Sequence, residues 1–120
     1  MTNSVVLVCL DSVRKDYFDR FAERLTERSD VRYRQCRAAS SWSVPSHASM
    51  LTGTLPSRHG IHTYNPDYRT LPTADTFLDD LPTHTTLGVS ANVYASHAFG
   101  FDTHFDEFVR VSPHKRFPRG

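Results

Sequence analysis

The feature that most restricts the fold is a short, continuously apolar segment near the start of the chain. Ser4–Leu10 reads SVVLVCL, is rich in β-branched residues and is followed by the polar Asp11. It is far shorter than the roughly 20 residues that span a bilayer, so we expect no membrane helix here. An unbroken apolar run is typical of a strand covered on both faces, as in parallel sheets. The segment therefore predicts the first strand of a parallel α/β sheet.

The rest of the chain has alternating helical and strand-like patterns. Three segments have amphipathic or capped helical spacing: Asp16–Arg28, Pro45–Leu51 and Thr73–Leu81. Two more segments have strand-like patterns: Asp30–Ala38 and Thr85–Ala91. The intervening Leu55–Pro72 is rich in turn residues, and we expect it to be irregular. This order of elements predicts the opening of an α/β sandwich.

The chain length and net charge exclude some classes of function. The 120 residues are enough for one domain, and 14 basic against 13 acidic side chains give a net charge of +1. A chain this close to neutral does not attract nucleic acid through its overall charge. Cys9 and Cys36 lie in strand-like runs without metal-ligand spacing, which predicts buried thiols in a reducing cytoplasm. We expect no secretory leader, because the first apolar run lacks a basic flank and a cleavage site.

Asp11 is the first candidate functional residue, because it directly follows the predicted first strand. Open α/β sheets bind ligands and metals at the carboxyl ends of their strands. A carboxylate there is a hard oxygen ligand for a divalent cation. Asp11 is therefore a candidate metal or substrate contact, and the alternative is that it only caps the following turn.

The second candidate region is Ser41–Gly53, with the sequence SWSVPSHASMLTG. Ser43 lies at a predicted helix start, where unpaired N–H groups and the helix dipole favour an anion or an ionised nucleophile. His47, four residues later, could face the same site as a base, an acid or a phosphate donor. The alternative is that Ser43 is an ordinary N-cap and His47 a surface residue.

Four stretches of the chain, taken in order, resemble the N-terminal part of the sulfatase family in the alkaline phosphatase superfamily. They read VVLVCLDSVRKD, SSWSVPSHASMLTGTLPSRHGIH, LP-x-x-x-TFLDDL and GVSANVYASHAFGFDTHFDEF. The second is closest to the sulfatase-like WT-x-PSHAS-x-x-TG branch rather than to the C-x-PSR of arylsulfatases. The resemblance covers essentially the whole chain. It implies a single partial domain over residues 1–120, the start of a sandwich with a mostly parallel central sheet flanked by helices.

The resemblance also implies a metal-dependent hydrolase of small sulfate or phosphate esters. Ser43 matches the nucleophile, whose oxygen also contacts the metal, and Asp11 matches the first ligand of a calcium, magnesium or manganese ion. Ser12 stands where the family usually has a second aspartate. His47 stands where sulfatases have the arginine that supports formylglycine formation. That departure argues against modification of Ser43 and against sulfatase activity.

Two further positions belong to the implied site. Ser46 matches the serine of the motif, and Asn92 stands where the family supplies a lysine, which it could replace only as a neutral donor. The family's remaining metal ligands lie beyond the matched stretches. Three interpretations stay open: an active ester hydrolase, an inactive truncated remnant, and a small anion-binding α/β module aided by the basic tail residues His114–Arg116 and Arg119. Exposed sheet edges predict self-association.

Three other features have structural interpretations. His59 and His62 have metal-like spacing, but they lie in a turn-rich segment without a third ligand, which favours a loop. Trp42 is expected in the core beside the nucleophile turn, and a substrate-facing position is the alternative. The aromatic segment Phe99–Phe108 predicts core packing or a partner-facing surface.

Overall fold

The computed structural model describes residues 3–111, so the basic tail lies outside the described residues. The chain divides into two compact units, Met1–Arg37 and Ala38–Gly120. The first unit contains two short helices: α1 (Lys15–Phe21) and α2 (Glu23–Glu27). The second contains two more helices and two strands: α3 (Ser43–Thr52), α4 (Pro56–His59), β1 (Leu87–Ser90) and β2 (Glu107–Arg110). Within residues 3–111, no helix is long and apolar enough to cross a membrane.

Neither strand predicted for the first unit forms. Ser4–Leu10 has no regular secondary structure and no strand partner among the described residues, and its apolar side chains are exposed, from 50% at Leu10 to 82% at Val6. Asp30–Ala38 contains a turn in place of a strand. Both predictions are wrong, because a strand needs a neighbour to complete its hydrogen bonds and no described residue pairs with either segment.

The helix predicted over Asp16–Arg28 is interrupted at Ala22, whose backbone (φ −101°, ψ 27°) separates α1 from α2. Neither helix buries a residue, so no packed face holds the two together as one helix. Asp19 pairs with Lys15 and lies 2.7 Å from Arg32. The hydrogen bonds from Lys15 and Arg32 hold the pKa of Asp19 below its usual value.

Cys9 and Cys36 are free and exposed. The prediction of buried thiols is wrong for the same reason as the strand predictions. Each cysteine belongs to a segment that would bury its side chains only as part of a covered sheet, and neither segment is paired in the described structure.

The core of the second unit is built around α3. Val44, Ala48 and Leu51 follow helical spacing along one face and are at most 5% exposed. The other buried apolar side chains of this core are Ile61, Tyr68, Leu71, Ala95 and Phe101. Gly53 ends the helix in the left-handed region (φ 67°), and its N–H donates to the carbonyl of Ser49. The helix predicted over Pro45–Leu51 is thus confirmed, with two more residues at its start and one more at its end.

Strands β1 and β2 form a parallel pair in which Gly88 lies opposite Phe108. Strand β1 confirms the strand predicted over Thr85–Ala91, at a shorter length. Strand β2 lies at the end of the aromatic segment Phe99–Phe108. The sequence predicted aromatic packing for that segment and no strand. The two strands and the aromatic rings pack this closely because Gly88 has no side chain. A Cβ at Gly88 would lie 2.8 Å from Phe108 Cε2 and 3.0 Å from Phe105 Cγ.

The helix predicted over Thr73–Leu81 is wrong beyond its first turn. Only Thr73–Asp75 is helical, as a single 3-10 turn. The next segment turns toward α3, and the N–H of Phe77 donates to the carbonyl of Leu51 over 2.9 Å. Phe77 and Leu78 pack against the core. The N–H of Phe77 is therefore bonded to Leu51 and not to a residue one turn earlier, as a continued helix would require.

Candidate active site

Ser43 is the first residue of α3, and Trp42 before it has an extended backbone (φ −113°, ψ 141°). The N-cap residue is therefore Trp42, and Ser43 does not have the N-cap role given above as its alternative. The first hydrogen bond of the helix runs from the N–H of Ser46 to the carbonyl of Trp42, over 3.3 Å. The N–H groups before it have no partner within the helix. Ser43 thus lies where the helix dipole favours negative charge.

His47 lies one turn further along α3. Its Nδ1 is 2.7 Å from the backbone carbonyl of Ser43. A carbonyl only accepts, so Nδ1 carries the proton, and Nε2 of the neutral ring is an acceptor. The ring packs edge-on against Phe101, with centroids 6.0 Å apart. The structure thus brings His47 and Ser43 together on the first turns of α3 and fixes the histidine ring on both sides.

Asn92 lies on a neighbouring segment, before the 3-10 turn Val93–Ala95. Its Oδ1 accepts the N–H of Tyr94 over 2.9 Å. The ring of Tyr94 meets the ring of Trp42, with centroids 5.8 Å apart. Because Trp42 directly precedes Ser43, this contact brings the Ser43 and Asn92 segments together. The half-buried Ser46 lies on the same first turns of α3.

Asp11 and Ser12 belong to the first unit. Both are exposed in a turn, and Ser12 has a left-handed backbone (φ 61°), which is uncommon for a residue with a Cβ. Within the described range, no group of three or more His, Cys, Asp or Glu side chains could hold a metal ion. Asp11 offers one carboxylate and Ser12 one hydroxyl, so the described residues do not fit a complete divalent-cation site.

His59 joins α3 to the following loop. Its Nδ1 accepts the N–H of Ile61 over 3.0 Å, so the proton of the neutral ring is on Nε2, which lies 2.9 Å from Ser49 Oγ. Burial lowers the pKa of His59, and the nearby His62 lowers it further against an opposing backbone hydrogen bond at Pro45. These contacts give His59 a structural role.

His104 is a buried residue whose role the sequence did not indicate. It is 5% exposed. Its Nε2 lies 2.8 Å from the carbonyl of Tyr68 and its Nδ1 lies 3.0 Å from Thr73 Oγ1. The hydroxyl of Tyr68 in turn donates to the carbonyl of Val44 over 2.9 Å, next to Ser43. The one sequence signal was a histidine inside an aromatic segment, and that pattern does not identify its partners.

The comparisons with known proteins identify the class. A family model described as type I phosphodiesterase / nucleotide pyrophosphatase matches residues 5–103. The chain belongs to this family of the alkaline phosphatase superfamily, whose members hydrolyse phosphate esters. No curated protein and no solved structure matches the chain.

These findings settle part of the resemblance. The superfamily is confirmed, and the matching family model is that of type I phosphodiesterases. The small α/β arrangement, with its parallel strand pair and helices, is consistent with an N-terminal part of an alkaline phosphatase-like fold.

Proposed function

We propose that this chain carries the nucleophile of a phosphate ester hydrolase that acts on phosphodiester or nucleotide pyrophosphate bonds. The family match over residues 5–103 supports the reaction class. The observation that carries the residue assignment is the position of Ser43 at the start of α3, a helix of 10 residues. The helix dipole and the N–H groups of a helix's first turn stabilise the anionic phosphate and the charge that develops during attack.

In the proposed reaction, Ser43 Oγ forms a bond to phosphorus as the bond from phosphorus to the leaving oxygen breaks. The hydroxyl proton passes to a base, and we assign that role to His47. The contact from its Nδ1 to the Ser43 carbonyl supports the assignment, because it leaves Nε2 as the acceptor. His47 passes that proton to the leaving oxygen. Water then attacks phosphorus as the bond from phosphorus to Ser43 Oγ breaks, and His47 transfers a proton from the water to Ser43 Oγ.

Ser46 and Asn92 are the proposed substrate contacts. Asp11 and Ser12, both in the first unit, are proposed contacts to a calcium, magnesium or manganese ion. Calcium takes about six to eight oxygen ligands, and these two residues supply fewer. The proposed steps therefore use the chain's own residues alone.

The test is cleavage of bis(4-nitrophenyl) phosphate with calcium, magnesium or manganese present. We expect Ser43→Ala to lower the rate by roughly 10³-fold or more, as losses of a nucleophile do. Ser41→Ala is the matched control, because Ser41 is an exposed serine two residues upstream and outside α3. An unchanged rate in Ser43→Ala, or an equal loss in Ser41→Ala, would reject the assignment.

Sulfate ester hydrolysis is the second candidate, and the Ser-x-Pro-Ser pattern from Ser43 to Ser46 is the observation that favours it. The same variants assayed on 4-nitrophenyl sulfate separate the two. We expect phosphate ester cleavage to exceed sulfate ester cleavage, with Ser43 unmodified because His47 replaces the usual arginine. A Ser43 peptide lacking two hydrogens would instead indicate formylglycine and favour the sulfatase.

Location and assembly complete the proposal. We assign the chain to the cytoplasm, which the two free thiols support. We also propose self-association through the β1–β2 sheet, where Leu87, Val89 and Val109 are each more than half exposed.

A further inference from the structure

Three aromatic rings meet beside the proposed nucleophile. Trp42 packs edge-on to Tyr94, with ring centroids 5.8 Å apart at 75°, and edge-on to Phe99, at 6.5 Å and 84°. Tyr94 and Phe99 are 5.4 Å apart. All three distances lie in the range in which aromatic pairs attract one another. The three rings thus form one cluster, here called the aromatic platform.

The aromatic platform is open to solvent. Tyr94 is 39% exposed, and Trp42 and Phe99 are half-buried against the core of the second unit. In an edge-on pair, the rim of one ring meets the face of the other, so the ring that offers its rim keeps both faces clear of that partner. The platform therefore has flat aromatic surface on which a further ring can stack.

Local hydrogen bonds hold the backbone at Tyr94 in place. Asn92 Oδ1 accepts the N–H of Tyr94 over 2.9 Å, and the fully buried Ser96 donates its hydroxyl to the carbonyl of Val93 over 2.6 Å. The Tyr94 ring itself packs against Trp42 and Phe99. A ring already packed against its neighbours loses little conformational freedom when a ligand binds.

We propose that the aromatic platform binds an aryl group esterified to the phosphate that Ser43 attacks. The inference rests on the proposed function and names its substrate class. In an aryl ester, a single oxygen joins the ring to phosphorus, so the ring and the reacting atom need neighbouring subsites. Trp42 and Ser43 are consecutive, with Cα atoms about 3.8 Å apart, so the platform contains the residue next to the proposed nucleophile.

Binding can be measured directly, because Trp42 is the single tryptophan of the chain. Its fluorescence is titrated with phenyl phosphate, methyl phosphate and inorganic phosphate. We expect a saturable change with phenyl phosphate at a concentration about tenfold below that needed for methyl phosphate, because only the phenyl ring can stack. Equal titration by all three ligands would overturn the proposal. So would an emission change that follows protein concentration alone, because self-association would then occupy the platform.

The variants test the rings one at a time. Tyr94→Leu should weaken phenyl phosphate binding roughly two- to tenfold, the range that a ring contact gives, and Tyr94→Phe should retain it. Tyr64→Leu is the matched control, since Tyr64 is 94% exposed and lies outside the platform. If Tyr94→Leu does not fold, Phe99→Leu makes the same test from another ring. Unchanged binding in a folded Tyr94→Leu or Phe99→Leu would overturn the proposal.

Ser43→Ala separates this inference from the proposed function. We expect this variant to bind phenyl phosphate like the wild type while it loses ester cleavage. Cleavage that depends on Ser43 but shows no preference for phenyl over methyl esters would overturn the platform and leave the nucleophile assignment standing. Phenyl phosphate binding with cleavage indifferent to Ser43→Ala would support the platform and overturn the proposed function.

Discussion

At the scale of single residues, the buried His104 links segments of the second unit around the candidate site. His104 connects the carbonyl of Tyr68 to the hydroxyl of Thr73, and Tyr68 connects onward to Val44 at the start of α3. A buried polar group left without its partner costs about 1–3 kcal/mol. The position of the first turn of α3 therefore depends on contacts between residues that are far apart in the sequence.

The first expected result concerns His104→Leu, which removes one hydrogen bond from the Tyr68 carbonyl and one from the Thr73 hydroxyl. The Tyr68 carbonyl keeps the N–H of Leu71 at 3.0 Å. We therefore expect the free energy of unfolding to fall by about 1–3 kcal/mol, measured by urea denaturation. His62→Leu is the control, because His62 is exposed and its loss should change stability by less than about 0.5 kcal/mol. Equal small effects from both variants would show that the buried contacts contribute nothing.

The second expected result concerns how stability depends on pH. Burial lowers the pKa of His59 below its ordinary 6.5, so protonation favours the unfolded chain. The stability that His59 provides is complete above pH 6.5 and is lost as the pH falls through the lower folded value. Thermal melts between pH 5 and 8 should therefore show a steeper acid loss in the wild type than in His59→Gln. Parallel pH profiles for the two proteins would contradict this explanation.

At the scale of elements, the sequence predicted what local pattern determines and missed what pairing determines. Helix α3 was predictable because Val44, Ala48 and Leu51 form a buried face within one segment. The strand over Ser4–Leu10 was not, because its partners are not encoded in its own residues. The helix over Thr73–Leu81 failed because Phe77 bonds to Leu51, a contact that no local pattern contains.

A third expected result tests the parallel pair. Gly88→Ala places a methyl group against Phe108 and Phe105, and we expect a loss of about 1–3 kcal/mol in unfolding free energy, the cost of overpacking. Val89→Ala is the matched control on the same strand, because Val89 is 62% exposed and should tolerate the change. Equal stability of Gly88→Ala and the wild type would show that the aromatic rings move aside at no cost.

At the scale of the whole molecule, the chain exposes much apolar surface. The valines of the first apolar segment are exposed in the first unit, and Leu87, Val89 and Val109 are exposed in the second. Patches of this kind favour association. The superfamily and the α/β class were predictable because long motifs carry them. A complete metal site was not predictable, and within residues 3–111 no group of three or more His, Cys, Asp or Glu side chains could hold a metal ion.

A fourth expected result follows for assembly. Val109→Lys adds a charge to the exposed sheet face, and we expect it to raise the monomer fraction in sedimentation velocity several-fold, because edge and face contacts tolerate lysine poorly. Thr85→Lys adds the same charge just before β1 and is the control. Equal sedimentation of the wild type and Val109→Lys would show that this face does not mediate association.

The measurement that most directly tests the central assignment is the mass of the chain quenched during turnover of bis(4-nitrophenyl) phosphate. The proposed attack forms a covalent bond between Ser43 and phosphorus, so a phosphoryl adduct should be found on the peptide containing Ser43 and be absent from Ser43→Ala. Turnover by the wild type with an adduct on another residue, or with an equal rate in Ser43→Ala, would contradict the assignment.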